Sequence, residues 1–236
     1  MQAKRVWLML VILALSAPLA MAGDVVGTIK FEGEKPGMKR LKMDADPKCA
    51  EMHEEEPPVS EEVVINDNGT LRNVFVYVRG GLEGKTFEPT KEPVDLRQEG
   101  CLYRPRVFGM MAKQPLRIHN DDDTLHNVHA LAKVNKEFNI GQPNKGMVTT
   151  RTFAQPEVMI KFKCDVHPWM AAYVGVLPHP FFDTTGEEGT YRLKGLPAGE
   201  YEIVAWHEKF GEQVAKVTVG EAGEVTQDFT FKASGE

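Results

Sequence analysis

Hydrophobic and polar positions alternate along most of this chain, and the alternation breaks every few residues at Gly, Pro, Asn or Asp. Val25, Ile29 and Phe31 share one side of residues 24–31, as a strand requires. Residues 34–62 dissolve into charge, Pro and Gly. Val63–Ile65, the turn Asn66-Asp67-Asn68-Gly69 and Asn73–Val78 then predict a β-hairpin. Residues 79–100, with Gly80, Gly81, Gly84, Pro89 and Pro93, read as loop. Strands resume from Cys101: Leu116 and Ile118 alternate with Arg117 and His119, and Val158, Ile160, Phe162 and Cys164 alternate further on. Residues 133–150 read as a long connection. After Pro178-His179-Pro180, a linker, four strands are predicted on Tyr191/Leu193, Tyr201/Ile203/Ala205, Ala215/Val217/Val219 and Val225/Phe229/Phe231. No amphipathic helix of convincing length follows residue 22. Short strands and frequent turns predict an all-β chain of sandwich type.

The first 22 residues have a different character. Lys4 and Arg5 precede an apolar run, Val6–Leu15, and Ala20-Met21-Ala22 has the form of a cleavage site. About 20 apolar residues are needed to span a bilayer, so this run reads as a cleaved Sec-type signal peptide. The expectation is a periplasmic or secreted protein, cut after Ala22, with no membrane span once mature. The formal charge is −6 and becomes more negative when Lys4 and Arg5 are lost, which argues against nucleic acid as a partner. A chain of 236 residues can bury roughly 70% of its unfolded surface, so disulfides are not needed to make it fold.

Candidate chemistry concentrates in Cys164-Asp165-Val166-His167-Pro168-Trp169-Met170. A thiolate, an imidazole and a thioether at C-x2-H-x2-M spacing, on a loop after a strand, suit copper: a His2Cys set with a long Met bond is the blue-copper arrangement. The loop supplies one His. His126, just past another predicted strand in Leu125-His126-Asn127-Val128-His129, is the candidate for the second.

The pairing of His-Asn-Val-His with Cys-x2-His-Pro-aromatic-Met resembles the amicyanin and plastocyanin type of cupredoxin, the blue copper proteins. The resemblance covers about residues 71–177. It implies one type 1 copper held by His126, Cys164, His167 and Met170. It also implies single-electron transfer with a protein partner (a cytochrome or dehydrogenase) that docks beside His167. Pro168 and Trp169 would then form the docking rim, with the far edge of His167 approaching the surface; the alternative for Trp169 is a plug closing the end of the sandwich, against the C-terminal module. The alternative is a copper-holding or structural β-protein without redox turnover. A zinc hydrolase ranks below both, because a thioether is a poor zinc ligand and catalytic zinc keeps an open position. A filled four-donor set leaves no place for a substrate, so no enzyme is expected.

The segment after Leu177, with Gly195-Leu196-Pro197-Ala198-Gly199-Glu200-Tyr201, resembles the carboxypeptidase regulatory-like (transthyretin-like) β-module, which brings no peptidase. The expected organisation is therefore a signal peptide over residues 1–22 and a cupredoxin-like sandwich over 23–177 with its core at 71–177. A second, smaller β-sandwich module follows over 178–236. Four strands make a marginal module, and the strand at 24–31 is available to complete it, which would turn the cupredoxin into an insertion.

Three cysteines is an odd count for an exported chain. With Cys164 given to copper as a free thiolate, Cys49 and Cys101 are expected to pair in an oxidising compartment; separate thiols or an intermolecular bridge are the alternatives. Asn127 is expected to tie the His126 segment to the Cys164 loop, unless it merely favours a turn. His129, two residues past His126, would face the other side of a strand and is not a ligand. His119 reads as surface or structural, and His53, among Glu54, Glu55 and Glu56, as part of a solvated loop held by Cys49. His179 and His207 read as hydrogen-bonded at the domain junction rather than as a second metal site.

Overall fold

A computed structural model describes residues 22–233. The expected leader lies outside them except for Ala22, which starts the first strand. The elements in chain order are β1 (Ala22–Glu32), α1 (Pro47–Met52), β2 (Phe75–Gly80), β3 (Val94–Glu99), β4 (Leu102–Arg104), β5 (Val107–Met111) and β6 (Pro115–Asn120). They continue as β7 (His126–Leu131), β8 (Phe138–Gln142), β9 (Val148–Thr152), β10 (Glu157–Lys163) and β11 (Ala171–Leu177). The chain closes with β12 (Phe182–Thr184), β13 (Thr190–Pro197), β14 (Gly199–His207), β15 (Gly211–Val219), β16 (Glu224–Thr226) and β17 (Phe229–Lys232). The fold is all-β. Among the described residues, no helix is long and apolar enough to cross a membrane.

The strands make two sandwiches. In one, the sheet β4-β3-β6-β9 faces β5-β11-β10-β7-β8, and inward residues such as Leu96, Phe108, Leu116, Ile118, Val128, Phe162 and Val174 meet in a single core. In the other, β13-β1-β16 with β17 faces β12-β2-β14-β15 over Val25, Ile29, Val76, Leu193, Ile203, Val217 and Phe231. The alternation read for residues 24–31 is the buried face of β1, which lies between β13 on one side and β16 and β17 on the other.

The second sandwich takes more of the N-terminal half than the sequence indicates. Phe75–Gly80, expected inside the first sandwich, pairs instead with β14 and β12. The predicted hairpin reduces to a turn and one bridge, Ile65↔Leu71. Asn73 takes a positive φ of 61°, which turns the chain away just after Arg72 N–H has bonded the Val64 carbonyl at 3.0 Å. Consequently residues 94–177 are inserted between two antiparallel neighbours, β2 and β12, and chain entry and exit lie side by side. The supposed loop at 79–100 also hides β3, whose inward positions include the buried Gln98, and a polar inward residue masks the alternation. Residues 133–150 likewise contain β8 and the start of β9.

The sandwiches meet through Phe75, Tyr77, Val107, Leu177 and Val204, and Arg106 bridges to a nearly buried Glu208 (Nη2–Oε2 2.9 Å). Gly109 and Gly175 are cross-strand partners on β5 and β11, both beneath Phe75, with Phe182 also over Gly109. A Cβ on Gly109 would lie closer than 3.0 Å to both rings, and one on Gly175 closer than 3.0 Å to Phe75 and Met159. Gly175→Ala is therefore expected to force Phe75 off its seat and cost about 1–3 kcal/mol, read as a lowered melting temperature. A melting temperature equal to that of the parent would show that the junction yields freely.

Candidate metal centre

Lys163 at the end of β10 pairs with His129, three residues into β7, so the residue after β10 emerges beside the start of β7. Cys164 and His126 thereby meet although 38 residues separate them in sequence. The loop after Cys164 closes on itself: Met170 N–H donates to the His167 carbonyl at 3.0 Å, and Cys164 N–H to the Met170 carbonyl at 3.4 Å. Pro168 fixes φ just after His167 and turns the chain back. His126, Cys164, His167 and Met170 are all at most 2% exposed.

The ligand atoms of His126, Cys164 and His167 lie within 4.8 Å of one another. The two Nδ1 atoms are 2.9 Å apart, and Cys164 Sγ is 3.6 Å from His167 Nδ1. Met170 is packed in the same core cluster as Cys164. The outer edges of both imidazoles meet carboxylates: His126 Nε2 is 2.9 Å from Asp122 Oδ2, and His167 Nε2 is 3.0 Å from Asp46 Oδ2. A carboxylate on Nε2 holds a proton there, so Nδ1 becomes an inward lone-pair donor once its own proton is lost; while present, that proton serves the hydrogen bonds among His126, Cys164 and His167. Asn127 Oδ1 accepts from Asp165 N–H at 2.8 Å and lies 3.1 Å from Cys164 Sγ, while Asn127 Nδ2 donates to Asn139 and Asp165.

Burial alone would push the Cys164 thiol up. Hydrogen bonds with His126 and His167, helped by the backbone N–H groups of Asn127 and His167, win and bring it down to about 6. Burial likewise opposes charge on both histidines, yet Asp122 and Cys164 raise His126, and Cys164 and Asp46 raise His167. Burial would raise Asp46 as well, but His167 and the N–H groups of Cys49 and Lys48 hold it down at about 2. A depressed thiol stabilises the fold fully above its ordinary range, and that contribution is lost as pH falls through about 6. In metal-free protein, thiolate absorbance in the ultraviolet is expected to titrate near 6 and to move up in His126→Ala. A midpoint near 9 would show that the imidazoles do not hold the sulfur.

The carboxylates were invisible as site residues in the sequence. Asp46 belongs to a segment that reads as solvated loop but folds over the centre. Its side chain accepts from Lys48 N and Cys49 N, capping α1, and Pro47 occupies the first turn. Thr124 Oγ1 and Lys48 Nζ, the latter to Asp123, add further ties to the 121–126 loop. The Cys49–Cys101 disulfide staples the same segment down, and His53 Nε2 is 2.7 Å from the Gly100 carbonyl. An Asp-Pro before a short helix is the one local signal that was available; a six-residue helix has no amphipathic period to reveal it.

This cover changes the expected surface. His167 was expected to show its far edge to solvent, but Asp46, Cys49 and Trp169 enclose it and it is 1% exposed. Of the two rim residues, Pro168 is exposed, whereas Trp169 is half-buried and donates its indole N–H to the Cys101 carbonyl at 2.9 Å. Trp169 packs under α1 because the disulfide brings that carbonyl within reach.

The remaining histidines are structural. His119 is 2.8 Å from Asp95, and His129 lies between Asp165 and Glu137. His179 Nε2 donates to the Val78 carbonyl, and His207 Nδ1 accepts from Lys209 and Phe210. Among the described residues, none of these four joins a cluster of metal-ligating groups.

Comparison with known proteins adds the following. Residues 176–232 match the model of the carboxypeptidase regulatory-like domain. A search of curated proteins returned no match. Among solved structures, the chain is similar to a copper-containing nitrite reductase from Thermus scotoductus SA-01 (20% identity, TM-score 0.35), covering 44% of this chain and 25% of that one. It is also similar to a purple cupredoxin from Nitrosopumilus maritimus (22% identity, TM-score 0.30; 35% and 97% covered). An amicyanin variant matches at 22% identity and TM-score 0.33, with 38% and 86% covered. The chain thus spans about a quarter of the nitrite reductase it matches.

Proposed function

We propose that this chain is an exported blue copper protein, in which His126, Cys164, His167 and Met170 hold one type 1 copper and exchange single electrons with a redox protein. The observation that carries this reading is the inward convergence of two Nδ1 atoms and a thiolate-prone Sγ, each imidazole pinned at Nε2 by a carboxylate. The donor chemistry fits: imidazole suits copper(II), and thiolate and thioether suit copper(I). Copper bound there supplies one-electron redox chemistry between those two states. Asp46 and Asp122 orient the imidazoles and raise their basicity, Asn127 holds the Cys164 loop against β7, and the surrounding core excludes water.

A specific observation favours a second reading, a copper-holding protein without turnover: α1 and the disulfide enclose His167, so any partner meets α1 before it meets the imidazole. A redox titration of copper-loaded protein followed by measurement of electron self-exchange separates the two. A reversible one-electron midpoint with measurable exchange supports the carrier; a centre that cannot be cycled overturns it. Met170→Gln tests the part the thioether would play in the set. It is expected to keep the visible colour and shift the midpoint potential, because a thioether would bind weakly and tune the metal without being its main attachment. Loss of all copper binding in Met170→Gln would remove Met170 from that role.

A further inference from the structure

Two clusters of metal-ligating groups flank the inner centre, and the disulfide joins them. Asp46, Cys49 and His167 bring their ligand atoms within 4.8 Å of one another, and Cys101, Asp122 and His126 do the same. The sulfurs of Cys49 and Cys101 are bonded to each other, so both clusters end on one point just outside the two imidazoles. Both cysteines are fully buried, and Cys49 Sγ is 3.6 Å from His167 Nε2.

We propose that reduction of the Cys49–Cys101 disulfide opens a second metal site here, for copper(I). The thiolate, not the disulfide sulfur, is the metal ligand, so the site exists only in the reduced chain. A dithiol reductant would break the S–S bond by exchange. Its own two sulfurs join to each other, its two protons pass to Cys49 and Cys101, and metal entry releases those protons. The Cα atoms are 5.7 Å apart, which lets the sulfurs separate by side-chain rotation and grip one ion between them.

The neighbouring carboxylates differ in what they can add. An ionised carboxylate has about four lone-pair positions. Asp46 already accepts from Lys48 N, Cys49 N, Thr124 Oγ1 and His167, and is full. Asp122 accepts from Gly100 N, Cys101 N and His126, and keeps one position free. The donor set is therefore two thiolates with Asp122 beside them, in a pocket already carrying negative charge. Two soft sulfurs and a low coordination number select copper(I) over harder divalent ions.

The inference does not depend on the inner centre holding copper, and the experiment keeps the two apart. Full-length Cys164→Ser, which lacks the inner thiolate, is treated with a phosphine reductant that is then removed. It is titrated anaerobically with copper(I) held by a chromophoric chelator, alongside the unreduced protein. The reduced form is expected to take about one equivalent that the unreduced form leaves, with native near-ultraviolet circular dichroism and two sulfur neighbours by X-ray absorption. No gain on reduction would overturn the proposal. So would a gain that persists after adding Cys49→Ser and Cys101→Ser, a gain seen only with lost native dichroism, or uptake of zinc(II) in place of copper(I).

Discussion

Copper-loaded protein carrying Cys164→Ser is expected to lose the intense visible absorption of the parent and to hold copper far more weakly. The band arises from charge transfer between thiolate sulfur and copper, so removing the sulfur removes the transition itself rather than shifting it. The serine hydroxyl occupies a similar position but stays protonated at neutral pH, whereas hydrogen bonds from two imidazoles hold Cys164 at about 6. Asn127 and the His167 N–H would remain to receive the hydroxyl, so the fold is expected to survive with little change in melting temperature. Optical and electron paramagnetic resonance spectra of parent and variant, with matched thermal melts, provide the check. A parent whose copper(II) form is colourless would reject the assignment of His126, Cys164 and His167 as a copper set. A variant that keeps the band would place the thiolate elsewhere.

The second large effect is expected from opening the cover. Paired Cys49→Ser and Cys101→Ser removes a crosslink spanning 52 residues. On the chain-entropy account that costs about 2–4 kcal/mol, which for a chain of this size lowers the melting temperature on the order of 10 °C. The loss is local in origin. Without the staple, α1 is held by the Asp46 contacts to His167 and Thr124, the exposed Lys48–Asp123 pair, and His53 on Gly100. The inner donors are not touched, so the visible band is expected to remain while His167 becomes accessible and electron exchange with a small oxidant speeds up. Stopped-flow oxidation of the copper(I) forms of parent and variant reads this directly. An exchange rate unchanged in the opened variant would show that α1 does not limit access. Three free thiols in denatured, unreduced, metal-free parent would remove the bridge altogether.

The candidate inner donors could be read in the chain because most of their geometry is local. Cys164, His167 and Met170 lie on one seven-residue loop, whose spacing and proline-set turn bring the Cys164 and His167 ligand atoms together and pack Met170 into the same core cluster. His126 was found by its position at a strand end, and β1 and β13–β15 by their period of two, while the single strand read on Val225, Phe229 and Phe231 is divided into β16 and β17. These signals depend on neighbours in sequence, and no distant contact is needed to produce them.

What the sequence could not supply depends on partners far along the chain. Phe75–Gly80 carries the same apolar pattern whether it joins one sandwich or the other; a positive φ at Asn73 and the free edge of β14 decided for the second. Asp46 is one acid among many in a polar stretch, and only its packing 121 residues away against His167 makes it part of the centre. Trp169 could have faced solvent or a core, and the Cys101 carbonyl settled which. Side-chain type and local period determined the candidate ligands and the strands. Tertiary structure alone determined which surface those ligands are hidden from, because burial and carboxylate pairing belong to the contact between two segments and to neither one by itself.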